Sequence, residues 1–267
     1  MFISRLFTVV LVLASATFAR ADLQVFPTRV LLTESEKSGQ IALRHKGDKA
    51  MRYRIDAVYY KMNKDGSMEK LADPAKGERT AIDYFRFSPR QVTLEPEIEQ
   101  VVRILVRFPP ELSEGEYYAH LYFEGIDEGD EKQVPVKSKT GAQMMLKARM
   151  AVAVPIIVRK GKPELKVALD GLKTVKSPDG HLSYTVEVNK TGAANLYGDF
   201  VVLHTPEGSD KSNVVGQANG VSSYIEKRVV TYPLSVSTLD KGKLTVEVRE
   251  PVASGGKVLA TATTDIK

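Results

Sequence analysis

The sequence of 267 residues contains no cysteine. Disulfide frameworks and zinc sites built on thiolates are therefore excluded, even if the protein is exported to an oxidising compartment. Stability must come instead from hydrophobic cores, and a chain of this length can form one or two of them.

Long hydrophobic runs are also scarce, and the one candidate for an export signal or a membrane anchor lies at the N-terminus. An apolar run from Leu6 to Ala16 follows Arg5 and precedes Ala19-Arg20-Ala21, which has the small-x-small pattern of a signal peptidase site. The run is shorter than the ~18 residues that a membrane-spanning helix needs, so an export signal over residues 1–21 is favoured over a membrane anchor. We expect an exported, soluble protein whose mature chain starts at Asp22.

The net charge is small for a chain of this size. The formal charge of +5 becomes +3 when the export signal, which holds two arginines and no acids, is removed. A charge this low, without a basic run interleaved with aromatic residues, does not favour nucleic acid or a lipid surface as the partner.

Patterns that indicate catalysis or metal binding are lacking. The histidines are scattered, and we expect exposed or half-buried strand residues rather than metal ligands at His45, His120, His181 and His204. The serines stand in no strand-to-helix nucleophile elbow. The acidic residues within 127–131 lack the ligand alternation of a calcium loop, so a solvated loop is favoured. We predict no enzyme activity, no cofactor and no metal.

Apolar and polar residues alternate with a period of two in both halves of the chain. The clearest apolar sets are Met51, Tyr53, Ile55 and Ala57; Val102, Ile104, Val106 and Phe108; and Tyr117, Ala119, Leu121 and Phe123. Such sets are typical of half-buried strands, and no sustained helical period occurs. The sequence therefore predicts an all-β protein of two β-sandwich domains in series, residues 22–160 and 161–267, divided at a basic, glycine-bearing segment.

Four segments, in a fixed order, carry more specific information. They are VFPTRVLLTESEKSGQIAL near the mature start, FRFSPRQVTLEPEIEQVVRI and EGEYYAHLYFEGI in the middle, and NKTGAANLYGDFVVL in the second half. Their most specific parts are Thr28-Arg29-Val30 and the spaced residues Pro89, Leu94 and Pro96. Over essentially the whole mature chain, the sequence resembles the PapD-like periplasmic chaperones of the chaperone/usher pilus pathway.

This resemblance implies two immunoglobulin-like β-sandwich domains in a boomerang arrangement, with a pilus subunit held between them. Such a subunit lacks its last strand, and the chaperone lends it one of its own strands, which is donor-strand complementation. The resemblance also implies a periplasmic location and delivery of the subunit to an outer-membrane usher, without catalysis or a cofactor. The alternative is a secreted structural or adhesive protein of tandem β-sandwiches without chaperone activity.

In the family, the donor is the last long strand of the first domain, which corresponds to residues 142–158. The first part of this segment consists of good helix formers, but its β-branched second part and Pro155 favour a strand over a short amphipathic helix. The resemblance implies that the inserted residues are Met144, Leu146, Ala148, Met150 and Val152. An ordinary edge strand that covers its own core stays open as the alternative.

Members of the family grip the subunit's C-terminal carboxylate with an arginine in the first strand and a lysine near the end of the donor strand. Arg29 matches the arginine, whereas the position of the lysine falls on Pro155, which has no charge. We predict that Arg29 and Arg90 anchor the carboxylate, with Lys147 and Arg149 as other sources of the second cation. The missing cysteines argue against the subfamily with a disulfide-stapled donor region, so the chain resembles a divergent, archaic or alternative branch.

Overall fold

The computed structural model describes residues 23–75, 77–126, 133–137, 143–147, 151–177 and 180–267, and for residues 133–137 and 143–147 it describes the backbone alone. The predicted export signal, residues 1–21, lies outside the described residues. The acidic residues 127–131, Ala148, Arg149 and Met150 also lie outside them.

The described part of residues 23–160, called here the first half, consists of twelve strands and a short 3₁₀ helix at Ile82–Tyr84. The strands are β1 Leu23–Phe26, β2 Val30–Thr33, β3 Ser38–His45, β4 Met51–Met62, β5 Met68–Leu71, β6 Phe85–Ser88, β7 Gln91–Leu94, β8 Glu99–Val106, β9 Gly115–Ile126, β10 Gln133–Lys137, β11 Gln143–Lys147 and β12 Ala151–Lys160.

Two sheets of the first half face each other across a hydrophobic core. One sheet has the order β1-β3-β8-β6; the other has the order β2-β12-β9-β4-β5, and β7 also pairs with β4. β12 runs antiparallel to β9 and parallel to β2, so β2 forms an edge of the second sheet. A separate hairpin is formed by β10 and β11. Fully buried residues from both sheets, such as Ile41, Ile104 and Leu121, fill the space between them.

The predicted period of two is confirmed in this core. The alternating residues of β4, β8 and β9 named above all belong to the core or pack against it, with Met51, Ala57 and Phe108 only partly buried. β9 departs from the prediction of a half-buried strand, because residues 115–121 are buried on both of its faces. Its second face is covered by residues from the other half of the chain, such as Tyr224.

Residues 161–267, called the second half, form seven further strands and a 3₁₀ helix at Val252–Ser254. The strands are β13 Lys166–Lys176, β14 Leu182–Thr191, β15 Leu196–Pro206, β16 Asn213–Ser223, β17 Lys227–Pro233, β18 Gly242–Arg249 and β19 Val258–Ile266. They form sheets of order β13-β14-β17 and β16-β15-β18-β19, with a core of their own that includes Tyr184, Phe200 and Val246. The predicted fold class, all-β with two β-sandwiches, is confirmed.

The helices in the described residues are the two three-residue 3₁₀ turns, and neither has the length or the apolar character to cross a membrane. The same residues contain no group of three or more His, Asp or Glu side chains that could hold a metal ion.

The prediction that the histidines are exposed or half-buried is wrong for three of the four. His45, His120 and His204 are each at most 6% exposed, and His181 is exposed. His45 Nδ1 lies 3.0 Å from the Tyr53 hydroxyl, and His204 Nε2 lies 3.0 Å from the Asp240 carbonyl oxygen. A hydrogen bond offsets the cost of burying a polar ring, so these two histidines are accommodated inside the protein.

Candidate functional site

The site lies where the sheet of β2, β12, β9 and β4 meets the second half. Alternate positions of β9 and β12 face away from the first-half core, and the register pairs Glu116 with Arg159, Tyr118 with Ile157, and His120 with Pro155. Side chains paired on one face of neighbouring strands are close enough to interact. The residues that form the site are Arg29, Glu116, Tyr118, Arg159, Tyr197 and Tyr224.

Glu116 links the two halves through its carboxylate. Its side chain is fully buried, and Oε1 accepts a hydrogen bond of 2.6 Å from Arg159 Nε. The other oxygen, Oε2, accepts a hydrogen bond of 2.8 Å from the backbone N–H of Asn195 in the second half. The backbone N–H of Glu116 donates to the carbonyl oxygen of Ala193 at 2.9 Å. Because a buried carboxylate needs partners for both oxygens, Glu116 couples β9 and β12 to the second half.

Two tyrosine rings stack across the same contact. Tyr118 on β9 and Tyr224, which follows β16, have ring centroids 4.1 Å apart and planes inclined by 10°. The Tyr118 hydroxyl lies 3.0 Å from that of Tyr59, and Tyr59 donates to Glu78 Oε2 at 2.6 Å. Burial raises the pKa of Tyr59, and it raises the pKa of Tyr118 to about 12. Both phenols are therefore neutral at physiological pH.

Arg29 contributes a desolvated cation. It stands one residue before β2, and its guanidinium carbon lies 4.4 Å from the centroid of the Tyr197 ring on β15. Its Nε is buried, and no described residue accepts a hydrogen bond from it. Burial lowers the pKa of Arg29. The nearby Tyr224 and Glu116 oppose this shift, whereas Arg159 adds to it. This buried charged donor lacks an acceptor, and an anion that reached the guanidinium would supply one.

Positive charge exceeds negative charge around Glu116. Lys190 on β14 is buried, and its Nζ donates to the carbonyl oxygen of Ala194 at 3.0 Å. Burial lowers the pKa of Lys190, whereas the nearby Glu226 and Glu116 raise it. Lys190, Arg29 and Arg159 thus outnumber these two carboxylates, and their combined field favours an anionic ligand.

The position beside Arg29 at which the sequence resemblance leads us to expect a lysine is uncharged. The parallel register of β2 and β12, extended by one residue, puts Arg29 beside Pro155, with His120 next across the sheet. His120 is 6% exposed, and its Nδ1 has no hydrogen-bond partner among the described residues. Burial lowers the pKa of His120 to about 4, so the ring is neutral at pH 7. Among these three neighbouring residues, Arg29, Pro155 and His120, only Arg29 is charged at pH 7.

Arg90, predicted as part of the carboxylate anchor, lies in another region of the first half. It precedes β7, and its carbonyl oxygen accepts a hydrogen bond from Ile55 on β4, which β9 and β12 separate from β2. Three strand spacings separate β2 from β4, and a fourth separates β4 from the segment that contains Arg90. Four spacings of about 4.8 Å place Arg90 on the order of 19 Å from Arg29. Its guanidinium carbon lies 4.7 Å from the centroid of the Phe87 ring. The structure does not bring Arg29 and Arg90 together, because the segment that contains Arg90 pairs with β4.

The predicted donor segment is divided between two strands. The prediction of a strand rather than a helix is confirmed for β11, whose register sets Met144 opposite Val136 and Leu146 opposite Val134 on β10. Val152 lies on β12 and packs, partly buried, against the first-half core. Ala148 and Met150 lie outside the described residues, as does the side chain of Lys147. The donor role of these residues stays a prediction.

β12 has a partly open edge that ends near Arg29. On one side, β12 pairs with β9 from Ala151 to Lys160, whereas on the other side β2 covers only residues 156–159. No strand in the described part of the chain pairs with that second side of residues 151–155. Unpaired backbone N–H and C=O groups at such an edge can receive an extended strand from another chain.

The sequence motif points to Arg29 but not to the residues around it. Glu116, Tyr118, Tyr197 and Tyr224 are united by the contact between the two halves, which no local period reveals. One signal was available in EGEYYAHLYFEGI, where Glu116, Tyr118 and His120 alternate with the core residues. A strand with aromatic residues on both faces is expected to be covered on both sides.

No protein-family model matches this chain, and no curated protein matches it either. Solved structures do. The class 5 fimbriae chaperone CfaA is 12% identical, with a TM-score of 0.45 over 92% of this chain and 99% of that chain. In fold, this chain is similar to fimbrial chaperones.

Two further solved structures match this chain over a similar share of its length. The CupB2 chaperone of Pseudomonas aeruginosa is 14% identical, with a TM-score of 0.45 over 91% of this chain and 98% of that chain. The CsuC–CsuE chaperone–tip adhesion subunit complex, from the archaic chaperone-usher Csu pili of Acinetobacter baumannii, matches at 13% identity and a TM-score of 0.41, over 92% of this chain and 98% of that chain.

Proposed function

We propose that the protein is a periplasmic chaperone that binds pilus or fimbrial subunits by strand addition and delivers them to an outer-membrane usher. The observation that most supports this proposal is the position of Arg29 at the end of the open edge of β12. A subunit strand that paired along residues 151–155 would run toward a desolvated guanidinium whose Nε lacks an acceptor.

The chemistry of such an interaction has two parts. Backbone hydrogen bonds along the edge supply affinity that does not depend on the subunit's sequence. A terminal carboxylate at Arg29 then adds charge-assisted hydrogen bonds of about 1.5–3 kcal/mol and sets the register of the added strand. The inserted residues of the donor segment, Met144, Leu146, Ala148, Met150 and Val152, belong to the same proposal as the groups that fill the subunit's open core.

The proposed organisation follows the course of the chain. Residues 1–21 direct export and are removed, residues 22–160 form the chaperone domain with the donor segment, and residues 161–267 form the second domain. Gly161 has a φ of 69°, directly after the end of β12, which is a backbone conformation suited to a change of chain direction.

The test is co-expression of the tagged chain with a panel of fimbrial subunits, among them subunits assembled by archaic and class 5 pathways, followed by purification of the complex. We expect wild-type protein to keep the subunit soluble in a one-to-one complex. Arg29→Ala should weaken capture by about 10- to 150-fold, which corresponds to the loss of about 1.5–3 kcal/mol. The matched control is Arg103→Ala, which removes an exposed strand arginine from the opposite sheet.

The Arg90→Ala variant tests whether subunit capture depends on Arg29 in particular or on positive charge in general. Because Arg90 lies far from the end of the open edge, we expect its removal to leave capture within about threefold of wild type, since surface substitutions change free energies by less than about 0.5 kcal/mol. Equal capture by wild type and Arg29→Ala would remove Arg29 from the site. Failure of the wild-type chain to bind any of these subunits would favour the secreted structural protein instead.

A further inference from the structure

Arg29 is held by an aromatic ring from the other half of the chain. Its guanidinium carbon lies 4.4 Å from the centroid of Tyr197, within the distance at which a cation and an aromatic face attract each other. Such a contact is stronger where water is excluded, as it is at the buried Nε of Arg29. The first half thus supplies the cation, and the second half supplies the surface on which it rests.

The backbone of β16 passes close to the Tyr197 ring at Gly220. A Cβ added to Gly220 would lie 3.2 Å from the Tyr197 hydroxyl oxygen and 3.5 Å from Cε2. Gly220 has a φ of 66°, and its N–H donates to Asp199 Oδ1 at 2.8 Å, so the backbone favours glycine here and a side chain would crowd the ring. Gly220, Tyr197 and Arg29 therefore lie side by side in that order.

We propose that Tyr197 is the positioning residue of the anion site: it covers one face of the Arg29 guanidinium so that a planar carboxylate binds edge-on to the in-plane N–H groups. This inference rests on the proposed function and deepens it by naming the residue that sets the geometry of the anchor. The N–H donors of a guanidinium lie in its plane, which makes paired hydrogen bonds to a carboxylate possible only along its edge. An ammonium group has neither the plane nor the fork, so Arg29→Lys keeps the charge and loses the geometry.

The experiment follows the Nε–H resonance of Arg29 by NMR while sodium acetate is added, with sodium chloride at equal ionic strength as the reference anion. Wild-type protein should show a saturable shift with acetate and not with chloride. Tyr197→Phe, which keeps the ring, should bind acetate within twofold of wild type. Tyr197→Leu should bind it about 2- to 30-fold more weakly, the range expected for loss of a partly to fully desolvated cation–π contact.

Two controls separate positioning from a general effect on folding. Tyr122→Leu removes a cation–π contact of the same length, between Lys70 and Tyr122 at 4.4 Å, and should leave the acetate response of Arg29 unchanged. Tyr197→Met is the second variant if Tyr197→Leu does not fold, because methionine adapts to the space without providing a ring. Each variant is compared with wild type by circular dichroism before the titration.

The outcomes distinguish the two proposals. If wild type and the ring-less variants respond equally to acetate, positioning by Tyr197 is wrong and the anchor at Arg29 stands. If wild type shows no response that is specific to acetate, the anchor itself is wrong, and the positioning role falls with it.

Discussion

Tyr118 and Tyr224 stack with ring centroids 4.1 Å apart, and this pair joins the main sheet of the first half to the second half. Beside it, the Glu116 carboxylate accepts hydrogen bonds from Arg159 of the first half and from the backbone N–H of Asn195 in the second half. The contact between the halves is therefore built from specific polar and aromatic pairs, and its strength can be measured residue by residue.

Removal of the Tyr224 ring should weaken the contact between the halves. Tyr224→Ala loses buried aromatic area and a stacked pair, so we expect the free energy of unfolding to fall by about 2–4 kcal/mol. Calorimetry should then show the two halves unfolding in separate transitions. Tyr224→Phe keeps the ring and should differ from wild type by less than about 1 kcal/mol; equal stability of the Ala and wild-type proteins would show that the stack does not couple the halves.

Glu116 should be more important for stability than an ordinary ion-paired glutamate. Glu116→Ala leaves the partly exposed Arg159 and the Asn195 N–H without their acceptor, which we expect to cost about 2–4 kcal/mol in urea denaturation. The matched control is Glu247→Ala, which removes the partner of Arg249, an arginine as exposed as Arg159, at 38%.

The local Glu247 pair should contribute less than about 1 kcal/mol, because it joins residues two positions apart and does not link the halves. A double-mutant cycle of Glu116→Ala with Arg159→Met measures the coupling directly, and we expect about 1–3 kcal/mol. A coupling near zero would contradict the role given to this pair.

His120 should make the protein less stable in acid. Burial among the rings of Tyr60, Tyr118 and Tyr224 lowers its folded-state pKa to about 4, below the ordinary value of 6.5. As the pH falls from about 6.5 to about 4, the unfolded chain takes up a proton that the folded protein does not. The free energy of unfolding should therefore fall by about 3 kcal/mol over this window.

Denaturation of wild type and His120→Gln at pH 7.5 and 4.5 measures this effect. The Gln variant should lose the part of the pH dependence that belongs to His120, whereas His181→Gln, at an exposed position, should keep the wild-type dependence. If the dependence were the same in all three proteins, the buried His120 would not be its source.

Local features of this fold could be predicted from the sequence, whereas the contacts between distant segments could not. Alternation along β4, β8 and β9 correctly predicted the residues of the first-half core, because the period of a strand is a local property. Arg29 was found through a motif, yet its supposed partner Arg90 lies four strands away, since strand order is not visible in a linear sequence. His120 was expected near solvent because the second surface that covers β9 comes from residues about 100 positions later, such as Tyr224.

The most direct test of the central claim is hydrogen–deuterium exchange along the open edge of β12. With the subunit bound, we predict that those amides of Ala151 to Val154 that point away from β9 exchange at least about tenfold more slowly than in the free protein, because they become paired with a strand of the subunit. Amides of β19, Val258–Ile266, should be unchanged. A stable complex in which residues 151–154 exchange as fast as in the free protein would contradict the account, because the subunit would then be held elsewhere.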